Sequence, residues 1–362
     1  MKKPQLGISL MTEPAFLEAC FPLFAEGEIE VLEWSFDTIQ TIEDEPLWLN
    51  ELLSTYSREN KLLGHGVYYS LFDAYWGDKQ DLWINKIKKE TERYKYNHIS
   101  EHFGFMSSEN YHKGVPLPIP LSDSTLNIGI DRLKRIQNAV DLPVGIENLA
   151  FSFSKKDVFE QGVFIEKLID SVNGFLVLDL HNIYCQSHNF EIDMMELINY
   201  YPLSKVKEIH ISGGSWQDSI YKEKQIRRDT HDGNIPLEIL SILPLVLSKC
   251  VNTDFVIFER LGNTFNNSYD VTEYQKDYKE LKKIVQQIEY KSNQESWRKE
   301  YKISEKPLVN FELKKEQQKL SNFLLTEDYN EIKNKEFKYW DVNSWDIEMI
   351  NTAIEISKKW NQ

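Results

Sequence analysis

The sequence predicts an α/β protein, a TIM-like (β/α)8 barrel with a C-terminal helical extension. Short apolar runs alternate with amphipathic segments eight times over the first 290 residues or so, the order of elements in a parallel barrel. Several of those runs, such as Phe175–Leu178, carry apolar residues on both parities, as strands covered on both faces do. No GxGxxG follows the first run and no P-loop is present, which sets aside a doubly wound nucleotide-binding sheet.

In chain order, Leu6–Leu10 is the first expected strand and Glu13–Phe24 the helix behind it. Ile29–Trp34 follows as a strand, and a helix begins after Pro46, where proline suits the first turn. LLGHGVYYS brings the third strand and His65; Tyr68–Asp78 reads as an aromatic loop before a helix near Asp81–Tyr94. HISEHFGF is the fourth strand, and the connection to Pro120 carries VPLPIP, which proline holds extended. Helix Leu126–Ala139, strand PVGIEN, helix Asp157–Ser171, strand Phe175–Leu180 and helix Ile192–Tyr200 come next. Val206–Ile211 is the seventh strand, followed by a polar excursion containing RRDTHDGNIP. Helix Leu237–Lys249, strand Asp254–Arg260 and helix Val271–Tyr290 complete a domain spanning 1–290.

Residues 291–362 form a second region, a charged linker ending in Pro307 and then helices over Glu312–Leu325 and Trp345–Trp360. Four of the nine tryptophans, Trp297, Trp340, Trp345 and Trp360, fall there. Such rings in a polar segment need a surface to bury against, either this barrel or a partner.

Bulk properties narrow the function. The net charge of -15 disfavours nonspecific contact with nucleic acid or an anionic membrane, and Lys222–Arg228 reads as a solvated loop. No apolar run approaches the roughly 20 residues of a membrane span, and the start lacks a secretion signal, so cytoplasmic residence is expected. Three scattered cysteines, Cys20, Cys185 and Cys250, provide neither a disulfide framework nor a zinc ribbon. A metal here must use nitrogen and oxygen ligands.

Such ligands recur at the expected strand ends. Six of the eight histidines, His65, His102, His181, His188, His210 and His231, lie there with Glu147, Asp179, Asp229 and Glu259, while His98 and His112 do not. Carboxylates crowded into one barrel mouth repel one another unless cations neutralise them, so the constellation points to two or three shared ions, with Glu147 as the bridge. Iron, manganese and zinc all suit these donors. Asp229 and His231, two residues apart, share a side of an extended segment. Asn148 and Asn182 are placed to ligate or to orient a ligand; Glu33 and Glu101 are expected in supporting roles, and Cys185 as a small buried side chain.

The segments GHGVYYS, SEHFGF, VPLPIP, RLKRIQNAVDLPVGIENLAF, LDLHNIY, EIHISGG, DTHDGNIP and FER, in this order, resemble the multinuclear non-heme iron-dependent oxidative enzymes (MNIO), a family that includes the iron enzyme of methanobactin biosynthesis. The resemblance covers about residues 5–265 and implies a TIM-like barrel holding two or three irons in a mixed-valent Fe(II)/Fe(III) state. The implied ligands are His65, His102, Glu147, Asp179, Asn182, His210, Asp229, His231 and Glu259. It further implies O2 as co-substrate, a ribosomal precursor peptide as substrate, oxidised frequently at cysteine, and in many relatives a separate leader-binding partner protein. His181 stands where many relatives carry asparagine, and the tail from Lys291 lies outside the motifs. A redox-silent hydrolase or isomerase on the same barrel, of endonuclease or sugar isomerase type, is the alternative, and a non-catalytic metal-binding scaffold a third reading.

Overall fold

The computed structural model describes residues 3–38, 45–106, 117–219, 221, 223–289, 296–326, 331–332 and 335–360. His112 and the first two residues of VPLPIP lie outside that set. Eight parallel strands close into a barrel: β1 (Gln5–Ser9), β2 (Val31–Trp34), β3 (Leu62–Gly66), β4 (Ile99–His102), β5 (Val144–Glu147), β6 (Phe175–Asp179), β7 (Val206–Ile211) and β10 (Phe255–Phe258). Each pairs with its sequence neighbour in the barrel, and β10 closes on β1 with Gln5 opposite Phe255. Between β7 and β10 the chain adds an antiparallel hairpin, β8 (Ser215–Asp218) and β9 (Gln225–Arg228).

The outer helices are α1 (Pro14–Ala25), α2 (Leu47–Arg58), α3 (Asp78–Arg93), α4 (Asp123–Val140), α5 (Lys155–Asp170), α6 (Leu180–Phe190), α7 (Met194–Ile198), α8 (Leu237–Lys249) and α9 (Ser268–Gln286). Polar side chains set several starts: Ser122 accepts from Thr125 N–H, Ser154 from Asp157 N–H, and Asn267 from Tyr269 and Asp270 N–H. Inside the barrel Val31, Leu63, Phe255 and Ile257 form a small apolar plug. The main core lies between the strands and their helices.

Two sequence expectations are corrected. A single helix was expected over Ile192–Tyr200; the chain instead turns helical directly after β6, as α6, because the Asp179 carboxylate accepts the Asn182 N–H at 2.5 Å and caps it. Only the short α7 follows. His181, Asn182 and His188 therefore sit on a helix rather than in a strand-end loop. The Lys222–Arg228 segment is not simply a solvated loop either, since its described part forms β9 and buries Arg227.

The C-terminal helices α10 (Phe311–Thr326) and α11 (Ile347–Trp360) lie on the loops that follow β3, β4 and β5 and on the hairpin. Leu320, Phe323, Trp340, Trp345 and Ile350 share one apolar cluster with Ala74, Leu117, Phe153 and Ile226. Trp345 stacks on Phe153 at 4.1 Å, and Gln317 donates to the Phe72 carbonyl while accepting from Ala74 N–H. At the opposite end Trp297 meets Phe175 edge-on at 6.2 Å. The tail thus buries Trp340 and Trp345 against its own barrel.

Trp345→Ala is expected to cost about 3–5 kcal/mol, the range for deleting a buried aromatic ring. Hydrogen exchange should then show early opening of α10 and α11, with the barrel strands still protected.

Candidate metal centre

The carboxyl ends of the barrel strands carry Glu33 on β2, His65 on β3, His102 on β4, Glu147 on β5, Asp179 on β6 and His210 on β7, with Glu259 directly after β10. Strand register places His102 beside Glu147 and Asp179 beside His210. Their ligating atoms fall into four overlapping groups, each within 4.8 Å: His65, His102 and Glu147; Glu147, Asp179 and His210; Asp179, His231 and Glu259; and Glu33, His210 and Glu259. Glu147, Asp179, His210 and Glu259 each belong to more than one group, so adjacent positions share donors.

Hydrogen bonding fixes what these atoms present. His102 Nδ1 donates to the Gly66 carbonyl at 2.9 Å, which leaves Nε2 of the neutral ring as a bare lone pair. His65 Nδ1 lies 2.8 Å from Ser100 Oγ, whose own hydrogen goes to the Gly64 carbonyl, so His65 Nε2 is left in the same state. Both Nε2 atoms then face Glu147 Oε2, at 3.2 Å and 3.4 Å, yet that oxygen has no hydrogen-bond partner. Lone pairs converging on a carboxylate oxygen repel unless a proton or a metal cation lies among them.

The same condition recurs around the mouth. Glu147 Oε2, Asp179 Oδ2, Asn182 Oδ1, His210 Nδ1, His231 Nε2 and Glu259 Oε2 are all buried without a well-aligned hydrogen bond, His231 Nε2 although Asp229 Oδ1 lies 2.9 Å away. Buried polar atoms are normally satisfied, and leaving one bare costs about 1–3 kcal/mol. Six in one place, one from each of six side chains, fit metal coordination by nitrogen and oxygen donors. Asn182 contributes twice, because its Nδ2 donates to Glu147 Oε1 at 3.1 Å and to the Asn148 carbonyl at 2.8 Å, which aims Oδ1.

Electrostatics agree. Burial first, then the charges of Glu147, Asp229 and Glu259, push the Asp179 carboxyl well above its usual range. For His65 burial opposes protonation, but Glu33 and Glu147 outweigh it and lift the imidazole to about 9. His210 and His231 are raised likewise against burial, mainly by Glu259 and Asp229 respectively. In the metal-free protein the anionic cluster draws in protons, and a cation replaces them.

Several residues play other parts than expected. Asn148 is a brace, accepting the Asp179 N–H at 2.8 Å and donating to the Asp179 carbonyl at 3.1 Å. His181 is a support: Arg227 Nε donates to its Nε2 at 3.1 Å, so Nδ1 carries the proton given to Asp229 Oδ1 at 2.8 Å. His188 is exposed on the outer side of α6 against Trp216 and Tyr184, away from the donor groups. Cys185 is fully buried beside His181, and burial pushes its thiol up. Asp229 and His231 do meet, at 2.9 Å, but not by strand alternation; His231 adopts a left-handed φ of 49°, and this turn swings its ring back.

The sequence reading also missed an interior polar column. His210 Nε2 lies 3.1 Å from Glu33 Oε2 and 3.2 Å from Glu208 Oε1, which commits that nitrogen to donation and turns Nδ1 toward Glu147 and Glu259. Glu208 reaches on to His98 Nε2 at 2.5 Å. The signal was present in VKEIHI, where Glu208 and His210 share parity and hence a face. Glu101, on the other parity, is buried outside the barrel bore beside Gly66, consistent with a structural place.

Fold and donors together define an α/β barrel that gathers metal-competent side chains at one mouth. The chain belongs to the family described as RiPP precursor modification enzyme MbnB/TglH/ChrH, whose profile matches residues 39–286; RiPPs are ribosomally made, post-translationally modified peptides. Curated relatives include UPF0276 proteins of Acaryochloris marina, 26% identical over 42% of this chain and 55% of the relative, and of Acinetobacter baylyi, 24% identical over 55% and 67%. The chain thus spans about half the length of the first of these. Among solved structures, an L-ribulose 3-epimerase aligns with a TM-score of 0.50 at 13% identity, covering 78% of this chain and 95% of that one. A D-allulose 3-epimerase from Methylomonas aligns at 0.51 and 14%, covering 80% and 99%. At that identity the likeness concerns the fold alone. Among the described residues no helix is long and apolar enough to cross a membrane.

Ligation by His65, His210 and His231 would require each to release a proton, so adding a divalent metal to the metal-free protein at pH 7 should acidify a weakly buffered solution. Apparent affinity should climb as pH rises toward 9. Uptake without proton release, followed with a pH indicator, would contradict this assignment.

Proposed function

We propose that this chain is a multinuclear iron, O2-dependent oxidase that modifies a ribosomally synthesised precursor peptide, at cysteine. Family membership supports a peptide as substrate. The observation that carries the metal part is the set of six bare buried donor atoms spread over overlapping groups. His65, His102 and Glu147 would hold one ion, Glu147, Asp179 and His210 with Asn182 the next, and Asp179, His231 and Glu259 with Asp229 a third. Glu147 is read as a bridging carboxylate, because its two oxygens face different neighbours: Oε2 the His65 and His102 pair, Oε1 Asn182 and His210.

Bound iron would supply the redox capacity to oxidise a substrate thiolate with molecular oxygen. The chain's own residues perform the rest. Asn148 and the α6 cap fix Asp179; Arg227 and His181 fix Asp229; Glu33 and Glu208 fix the His210 ring. Each support sets the direction of a donor before metal arrives, which is the condition for holding several ions at set separations. The buried cysteines Cys20, Cys185 and Cys250 are free thiols in keeping with a reducing cytoplasm. The barrel is assigned to 1–290 and the linker with its helical extension to 291–362.

Protein purified without added metal is expected to contain two or more iron equivalents and to consume oxygen when given the cysteine-bearing precursor. Co-production with candidate peptides encoded beside its gene, read by mass spectrometry, reports the modification. Glu147→Ala should remove most of the iron and the mass change, with the barrel still folded by circular dichroism. Zinc or manganese alone, with no oxygen uptake, would favour hydrolase or isomerase chemistry instead.

A further inference from the structure

The hairpin after β7 has one edge closed at Arg227 and one open edge. Ser219 N–H donates to the Lys224 carbonyl at 2.9 Å, and bonded pairs alternate along an antiparallel ladder. Gln217 with Ile226 is therefore the next bonded pair, and Ser215, opposite Arg228, also turns its N–H toward β9, where Thr230 Oγ1 accepts it at 2.9 Å. The main-chain groups of Gln225 and Arg227 then point away from β8, and those of Trp216 and Asp218 away from β9. On the β9 side Asn189 acts as a substitute strand, accepting the Arg227 N–H at 2.8 Å and donating to the Arg227 carbonyl at 3.0 Å. On the β8 side, among the described residues, no strand or side chain takes the outward groups of Trp216 and Asp218.

This edge leads into the metal centre. Gly214 precedes β8 so closely to His181 that a Cβ there would lie 2.7 Å from the ring, and Asp229, which His181 holds, follows β9. One face of the hairpin is backed by α11, through Gln217 to Glu355 at 2.5 Å and Arg228 to Glu355 at 3.6 Å. On the other face Trp216 is 42% exposed yet held, with the Arg227 guanidinium 5.0 Å from its ring and His188 edge-on at 5.0 Å. A wall of fixed side chains flanks a row of unpaired backbone groups.

We infer that the outward edge of β8 is the docking strip for the substrate peptide, which adds as a third strand beside Ser215–Asp218 and so has one end delivered to the metal centre. The inference rests on the peptide-modifying function proposed above. Four paired residues span roughly 13 Å, enough to carry an extended segment from the outer end of the hairpin to its root. Main-chain pairing would supply affinity with little demand on sequence, and Trp216 would select an apolar side chain at alternate positions.

The test uses the full-length, metal-loaded protein and a displayed library of 20-residue random peptides with one central cysteine. Asp218→Pro removes an outward N–H and no hairpin bond; Gln225→Pro makes the equivalent change on the opposite edge. Peptides selected on the native protein should bind D218P at least tenfold more weakly and Q225P unchanged. N-methylation scanned along a selected peptide should weaken binding at every second residue, a signature that needs no protein variant. Equal binding to D218P, an N-methyl scan without alternation, or no enriched peptide would each overturn the docking strip. So would a dimer that D218P dissolves, since the edge would then pair with a second copy. Oxygen uptake is not part of this readout, so failure of the oxidase reading stays distinguishable from failure of the strip.

Discussion

The structure turns on one contact, the Glu147 carboxylate oxygen facing the Nε2 atoms of two imidazoles whose Nδ1 atoms are already committed to partners on the far side. Without metal, only a proton drawn onto His65 relieves that meeting. The surroundings nonetheless hold it in place: strand register sets His102 next to Glu147, Gly66 fixes the His102 ring, and Asn182 holds the other Glu147 oxygen. A barrel that spends this much order on keeping bare donors together is arranged around positive charge it does not itself contain.

Support for those donors reaches well beyond the mouth. Charged and polar side chains run down the bore from His210 through Glu208 to His98, where a typical barrel interior is packed with branched apolar residues. The apolar plug of Val31, Leu63, Phe255 and Ile257 is small in consequence. On the outer side, α6 begins on Asp179 itself, so the start of one helix and the direction of one carboxylate are the same structural event. The C-terminal helices add a further layer on the loops after β3, β4 and β5 and on the hairpin, which places the extension at the rim of the barrel mouth. Such loops are where barrels vary their chemistry while the strands stay constant.

Much of this was legible in the chain. Apolar runs ending in His65, His102, Glu147, Asp179, His210 and Glu259 gave both the strands and the donors, because a parallel barrel directs every strand's carboxyl end to the same rim. The parity of VKEIHI placed Glu208 with His210, though that pairing is persuasive only once the bore is known to be narrow enough for both to meet other strands. The tryptophans of the tail announced a buried surface without identifying it.

What the sequence by itself determined was the order of elements and the set of side chains brought to one rim, since both follow from local periodicity and the fixed polarity of parallel strands. Only the tertiary structure decided which nitrogen of each ring is committed to a partner and which is turned to the mouth. His181 and His210 look alike in the chain, but Arg227 occupies the outer nitrogen of one while Glu33 and Glu208 take the hydrogen of the other. That distinction depends on Arg227 and Glu33, partners 46 and 177 positions away, and no local pattern encodes contacts at that separation.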